Sequence, residues 1–275
     1  MIDQSLPDLL YGTAWKEERT RDLVQAALEA GFRGFDTANQ RKHYLEAGVG
    51  EALACWLDAG NPREDLFIQT KFTFAAGQDH RLPYDPRAPV AEQVAQSAAS
   101  SLEHLGLERI DSLVLHGPSQ RPGLGEADRD AWGAMEQLHG AGVVGALGVS
   151  NVTLAQLRQL WSFADHKPRF VQNRCYARLG WDREIRGFCR EHGVIYQGFS
   201  LLTANKHVLI HPSVYAIARR HERTPAQVIF RFAQQVGMLP LTGTTDPVHM
   251  ASDLAASEVS LQPDEIETIE ALGGA

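Results

Sequence analysis

Short apolar runs alternate with longer amphipathic stretches along the whole chain, a pattern that predicts repeated strand–helix units around a parallel sheet. Strand character falls at 9–14, 34–37, 66–72, 111–116, 144–150, 170–173, 194–200 and 238–243, and helical character at 17–30, 44–59, 89–105, 128–140, 154–163, 183–192 and 224–235. Gly31, Gly60, Gly106, Gly142 and Gly193 stand where helices should stop, because a residue without Cβ readily takes the left-handed conformation that ends a helix. Right-handed crossovers repeated eight times close a barrel. The predicted fold is therefore a single α/β domain over residues 1–275, a (β/α)8 TIM barrel. An open doubly wound sheet is the alternative, weakened because no GxGxxG follows the first strand. The longest irregular stretch, 75–88, follows the third strand. It is either a wall of a substrate pocket or a solvent-exposed insertion.

Composition narrows the partners. With 275 residues, 44% hydrophobic and 22% charged, the chain has the make-up of a globular protein. Its formal charge of -8 argues against a polyanion, so no nucleic-acid partner is expected. Met1-Ile2-Asp3-Gln4-Ser5 lacks a basic and then apolar leader, and no run approaches membrane-span length, so a cytoplasmic protein with no membrane partner is expected. Cys55, Cys175 and Cys189 form no CxxC pair and read as small buried residues. Without HExxH or paired His/Cys spacing, no metal is expected.

Candidate chemistry sits at the strand ends. Asp36, Lys71 and His116 each close an apolar run on its C-terminal side, the edge of a parallel barrel where catalytic groups collect. Taken singly, each is equally a helix cap or half of an ion pair. Together, with Tyr44 just beyond the first, they form a proton-handling set. Asp36 would keep Lys71 charged, and Lys71 would pull the phenol's pKa from about 10 toward neutrality. The tyrosine could then be aimed at a carbonyl oxygen as proton donor, and a neutral His116 would donate a hydrogen bond to the same oxygen.

At these residues the chain resembles the aldo-keto reductases. The likeness runs through Gly12-Thr13-Ala14-Trp15-Lys16, Gly31-Phe32-Arg33-Gly34-Phe35-Asp36-Thr37-Ala38, Val49-Gly50-Glu51-Ala52-Leu53, Thr70-Lys71, Asp111-Ser112-Leu113-Val114-Leu115-His116, Gly148-Val149-Ser150-Asn151 and Thr224-Pro225-Ala226-Gln227-Val228. The resemblance implies an NADP(H)- or NAD(H)-dependent barrel enzyme with Asp36, Tyr44, Lys71 and His116 as its catalytic tetrad. It implies that Ser150, Asn151 and Gln172 hold the nicotinamide carboxamide and that Phe199 stacks on the ring. Gly12, Thr13, Ser200, Leu202, Leu241, Thr242, Gly243 and Thr244 fall among the remaining cofactor contacts. Trp15 becomes a pocket wall, or else a core residue.

Three departures matter. The family's tyrosine usually follows Asp-Thr-Ala after two residues; Arg41 stands there, and Tyr44 follows Asn39-Gln40-Arg41-Lys42-His43. Tyr44 takes the acid role, or the loop has moved the phenol away and His43 or His116 serves. Where relatives that prefer the 2′-phosphorylated dinucleotide carry a Lys-Ser pair and an arginine, this chain has Leu241-Thr242-Gly243-Thr244-Thr245-Asp246-Pro247. Asp246 and Pro247 read as a helix N-cap and first position, and the missing cations shift preference toward NADH or dual use. Ser200-Leu201-Leu202 lacks the proline usual in the loop over the pyrophosphate, which predicts a less rigid loop, and His207 and His211 after it read as solvated loop residues.

The function these features imply is reduction of an aldehyde or ketone, or oxidation of the corresponding alcohol, by a small-molecule enzyme. The alternative is an NAD(P)-binding regulatory or sensing subunit with slow turnover, favoured by the displaced tyrosine.

Overall fold

The computed structural model describes residues 6–274. Eight parallel strands, β1 (Leu10–Gly12), β2 (Gly34–Asp36), β3 (Phe67–Phe72), β4 (Ile110–Leu115), β5 (Val144–Ser150), β6 (Phe170–Arg174), β7 (Ile195–Phe199) and β8 (Met238–Thr242), pair in chain order. The barrel closes where β1 meets β8, with Tyr11 opposite Thr242. Helices α1 (Thr20–Ala30), α2 (Glu46–Asp58), α3 (Val90–Leu105), α4 (Glu126–Gly140), α5 (Leu154–Phe163), α6 (Arg183–His192), α7 (Lys206–Leu209), α8 (Pro212–Arg220), α9 (Pro225–Gln235), α10 (Pro247–Leu254) and α11 (Pro263–Ala271) surround it. No helix among the described residues is long and apolar enough to cross a membrane.

The local chemistry explains these boundaries. Gly31, Gly106 and Gly193 end α1, α3 and α6 in the left-handed region, with φ of 110°, 65° and 68°. Thr153 and Thr224 cap α5 and α9, each hydroxyl accepting from the backbone N–H of the glutamine three residues on. Asp246 caps α10 through Val248 N, with Pro247 in the first turn, as its sequence implied. Gly50 is required for another reason. A Cβ there would lie 2.0 Å from His104 O, so its absence lets α2 and α3 pack closely behind β3.

Two apolar layers hold the barrel. Between strands and helices, buried Trp132, Trp181, Phe32, Phe35 and Phe230 belong to one continuous core. Inside the barrel, Leu10, Phe170, Ile195, Leu239 and Leu241 form a second, smaller cluster. Asp36, Gln69, Gln172 and Gln197 form a buried polar network. Asp36 stands opposite Gln69 across β2 and β3, and Gln172 opposite Gln197 across β6 and β7.

The expected eight strands and seven helices are present with ends moved by one or two residues, apart from α1, whose start at Thr20 follows a short 3-10 turn over Glu17–Arg19. Beyond those seven lie α7, α8 and α11, which the sequence pattern did not mark, and α10, of which it marked only the start at Asp246 and Pro247. His207 therefore lies in α7, and His211 caps α8 by accepting from Ser213 N. Cys55 is exposed on α2, against the expectation of burial, because the helix turns it away from the sheet; Cys175 and Cys189 are buried.

Candidate active site

At the C-terminal edge of the barrel, Lys71 Nζ lies 2.6 Å from Asp36 Oδ2 and 2.7 Å from the Thr37 carbonyl oxygen. Lys71 is 1% exposed and Asp36 3%, so the pair keeps its charges only by facing each other. Asp36 Oδ1 accepts from Gln69 Nε2 at 2.7 Å and Gln172 Nε2 at 2.9 Å. The carboxylate thus has three donors from the protein itself.

The loop ahead of Tyr44 folds into a compact turn. His43 N and Tyr44 N both donate to Gln40 O at 3.0 Å. Gln40 Nε2 reaches Gly77 O at 2.6 Å, Gln78 Nε2 reaches Asn39 O at 2.8 Å, and Asn39 Nδ2 reaches Ser97 O at 2.8 Å. Just beyond, buried Glu46 accepts from the hydroxyls of Thr70 and Ser101, which ties the start of α2 to β3 and α3. This bracing returns the phenol ring to the tetrad: Lys71 Nζ lies 5.1 Å from its centroid, and the His116 ring lies 6.0 Å away at a steep angle. Burial raises the Tyr44 pKa, and Asp36 opposes the lowering effect of Lys71. The expected shift toward neutrality is therefore reversed, because desolvation outweighs a lysine whose field Asp36 already offsets.

His116 is fixed at both ends. Its Nδ1 lies 2.7 Å from Thr73 Oγ1, and its carbonyl oxygen accepts from Asn151 Nδ2 at 2.7 Å. Burial first, then the charge of Lys71, pushes its pKa down to about 3, so the imidazole is neutral at pH 7.

A cavity of about 720 Å³ opens beside these residues, lined by Asp36, Tyr44 and His116 and by Gly12, Lys16, Gly243 and Thr244. Ser150, Asn151, Gln172, Phe199, Ser200, Leu202, Leu241 and Thr242 also line it, together with Trp15. Trp15 is 69% exposed and its ring centroid lies 3.9 Å from that of His43, so it is a wall and not a core residue. Lys16 is 6% exposed, and its ammonium donates to the Gly243 carbonyl with no carboxylate paired to it among the described residues. Burial lowers its pKa to about 8. A buried cation without a counter-ion, on the wall of a cleft, fits a ligand that brings negative charge.

Over residues 9–273 the chain matches the model of the Aldo/keto reductase family. The chain belongs to the aldo-keto reductase family. Among its relatives, an aldo-keto reductase of Mycobacterium avium is 32% identical over 98% of this chain and 87% of its own length. One from Mycolicibacterium vanbaalenii is 29% identical over 98% and 89%. The fold also matches solved structures: an aldo/keto reductase of Brucella melitensis (25% identity, 97% and 95% covered, TM-score 0.83) and the aldose reductase of Schistosoma japonicum (23%, 98% and 89%, TM-score 0.84).

This aldo-keto reductase is accordingly an NAD(P)-dependent oxidoreductase, and its geometry amends several sequence expectations. Thr13 is fully buried, outside the cavity wall, because its hydroxyl donates to Asp36 O at 3.1 Å. The stretch 75–88 contributes nothing to that wall; its residues brace the Tyr44 loop, and Tyr84 donates to Thr73 O at 2.7 Å. The loop without proline is held by Asn205, which donates to Cys175 O and Leu201 O and accepts from Ala177 N. Leu241 joins the apolar barrel interior, while Lys16 and Arg174 bring cations to the cavity from β1 and β6. Lys16, Thr73, Gln69 and Gln197 went unremarked in the sequence. Only Lys16, within the Trp15-Lys16 motif, carried a signal that could have found it.

Proposed function

We propose that this enzyme interconverts small aldehydes or ketones and their alcohols, with Tyr44 as the proton donor in reduction. The observation that carries the reading is the convergence of Tyr44 on the Asp36–Lys71 pair, despite the lengthened loop. A nicotinamide dinucleotide bound in the cavity supplies or accepts the hydride. Phe199 would lie against its ring, with Ser150, Asn151 and Gln172 at the carboxamide. Ser200, Leu202, Gly243, Thr244 and Lys16 would lie along its phosphates. The donor set fits such a ligand, since it joins an apolar ring contact, amide partners and an uncompensated ammonium in one cleft.

The residues divide the proton work. With the Thr73 hydroxyl as hydrogen-bond donor to His116 Nδ1, the proton of the neutral ring stands on Nε2, where it would meet a carbonyl oxygen and direct it toward Tyr44. As charge grows on that oxygen, Tyr44 releases its phenolic proton to it. Lys71, held by Asp36, steadies the phenolate until a proton returns. In oxidation the same groups run in reverse. Tyr44 stays protonated at neutral pH because burial raises its pKa, which suits the donor role.

A panel of aliphatic and aromatic aldehydes, assayed with each dinucleotide by loss of reduced-nicotinamide absorbance, tests this reading. Aldehyde-dependent consumption that disappears in Tyr44→Phe is the expected result. Dinucleotide binding without turnover of any carbonyl or alcohol would overturn it in favour of a binding subunit.

A further inference from the structure

We propose that Gln69 and Gln197, neither of which lines the cavity, are positioning residues that set the working faces of Asp36 and Gln172. The inference rests on the functional reading above and adds to it how the carboxamide end of the cavity is coupled to the proton-handling end.

Hydrogen counting fixes the orientation of the amides. An ionised carboxylate only accepts, so Gln69 and Gln172 must turn their nitrogens toward Asp36 Oδ1. The second hydrogen of each then goes to one atom, Gln197 Oε1, at 2.8 Å from Gln69 Nε2 and 2.9 Å from Gln172 Nε2. Gln197 Nε2 returns a bond to Gln69 Oε1 at 3.1 Å. Gln69 and Gln197 thus form a reciprocal amide pair in the barrel interior, both 0% exposed. With both hydrogens of Gln172 committed inside, that residue presents only its carbonyl oxygen to a ligand in the cavity it lines.

The polarity has a consequence. A primary amide arriving at Gln172 is met as a donor, through its N–H. Ser150 and Asn151 present the same sense, since Ser150 Oγ donates to Gln172 O at 2.6 Å and Asn151 Nδ2 donates to His116 O and Ser150 Oγ. Gln197 keeps Gln172 from turning over, while Gln69 keeps Asp36 Oδ1 in place so that Oδ2 faces Lys71. The two residues therefore act on different steps. Gln197 governs binding, and Gln69 governs the geometry of the proton donor's support.

The full chain, titrated with NADPH and NADH by nicotinamide fluorescence and assayed with an aromatic aldehyde, separates the two effects. Gln197→Leu removes three buried hydrogen bonds, of which one holds Gln172; loss of that one should raise the dissociation constants of both dinucleotides by about fivefold and leave kcat within about twofold. Gln69→Leu should lower kcat by about fivefold or more with dinucleotide affinity within about twofold. A merely structural role would lower melting temperature without this split. If Gln197→Leu fails to fold, Gln197→Glu supplies the test. A protonated glutamic acid reproduces both the acceptor and the donor of glutamine, and burial near Asp36, whose charge Lys71 offsets, raises its pKa. That variant should match wild type near pH 6 and lose dinucleotide affinity relative to wild type as the pH rises from 6 to 7.5, below the range in which Lys16 loses its charge. Variants indistinguishable from a dinucleotide-binding wild type overturn this inference alone; a wild type that binds neither dinucleotide overturns the functional reading with it.

Discussion

Lys71 carries its ammonium 5.1 Å from the centre of the Tyr44 ring and, at the same time, 2.6 Å from Asp36 Oδ2. One cation therefore serves two groups, and the carboxylate is the nearer. The lysine's field at the phenol is correspondingly reduced, and burial decides the direction in which the Tyr44 pKa moves.

The pH profile should show this. Because the phenol's pKa is raised, kcat/KM for the carbonyl substrate, measured at saturating dinucleotide, should lose no activity to Tyr44 ionisation below about 10, the ordinary value for tyrosine. Tyr44→Phe should lower kcat by at least about a hundredfold while dinucleotide affinity stays within about threefold. An alkaline limb centred near pH 8 that vanishes in Tyr44→Phe would show that Lys71 wins over burial after all.

Removing Lys71 separates charge from chemistry. Lys71→Met leaves Asp36 buried with two amide donors and no counter-ion, which should destabilise the fold by about 3 kcal/mol in denaturant unfolding. Activity should be nearly abolished. Adding Asp36→Asn to Lys71→Met removes the stranded charge and should recover most of that stability while activity stays lost. A double variant no more stable than Lys71→Met would show that the ion pair contributes little.

The strand ends made the barrel and the tetrad legible, because polar Asp36, Lys71 and His116 interrupt apolar runs at equivalent places. The return of Tyr44 to Lys71 was not legible. It depends on side-chain bonds such as Gln40 to Gly77 and Gln78 to Asn39, which join segments far apart in the chain. Gln69 and Gln197 were silent for a different reason. Each sits within a strand whose alternation looks ordinary, and only closure of the barrel brings the β3 and β6 amides onto one carboxylate, with the β7 amide bonded to both of them. The direction of the Tyr44 shift was misjudged because sequence supplies neighbouring charges but not the depth of burial.

His116 links the site to acid stability. Its pKa is about 3 when folded, below the ordinary 6.5, so between those values the unfolded chain binds the extra proton. Stability contributed by the neutral ring is therefore full above about pH 6.5 and falls as pH drops toward 3. In His116→Gln this part of the decline should disappear, which urea unfolding at pH 4, 5 and 7 would measure. An unchanged slope would mean that the ring is protonated in the folded protein within that range.

Lys16 should govern dinucleotide affinity and its pH dependence. It donates to the Gly243 carbonyl beyond β8, on the cavity wall it shares with Gly12 of β1, and the expected partner of its charge is a phosphate shared by both dinucleotides. Lys16→Met should therefore weaken NADPH and NADH alike, each by about tenfold for loss of a charge-assisted contact. The preference between them in wild type should be modest, since Leu241 brings no cation and Asp246 caps α10 nearby. Because burial lowers the Lys16 pKa to about 8, a growing fraction of the free enzyme loses the charge above that pH. Both affinities should fall as pH rises through 8, and the fall should be absent in Lys16→Met. Fluorescence titrations at pH 7 and 9 decide it: a loss confined to NADPH would move Lys16 to the 2′-phosphate, and no loss for either would remove it from the phosphate site.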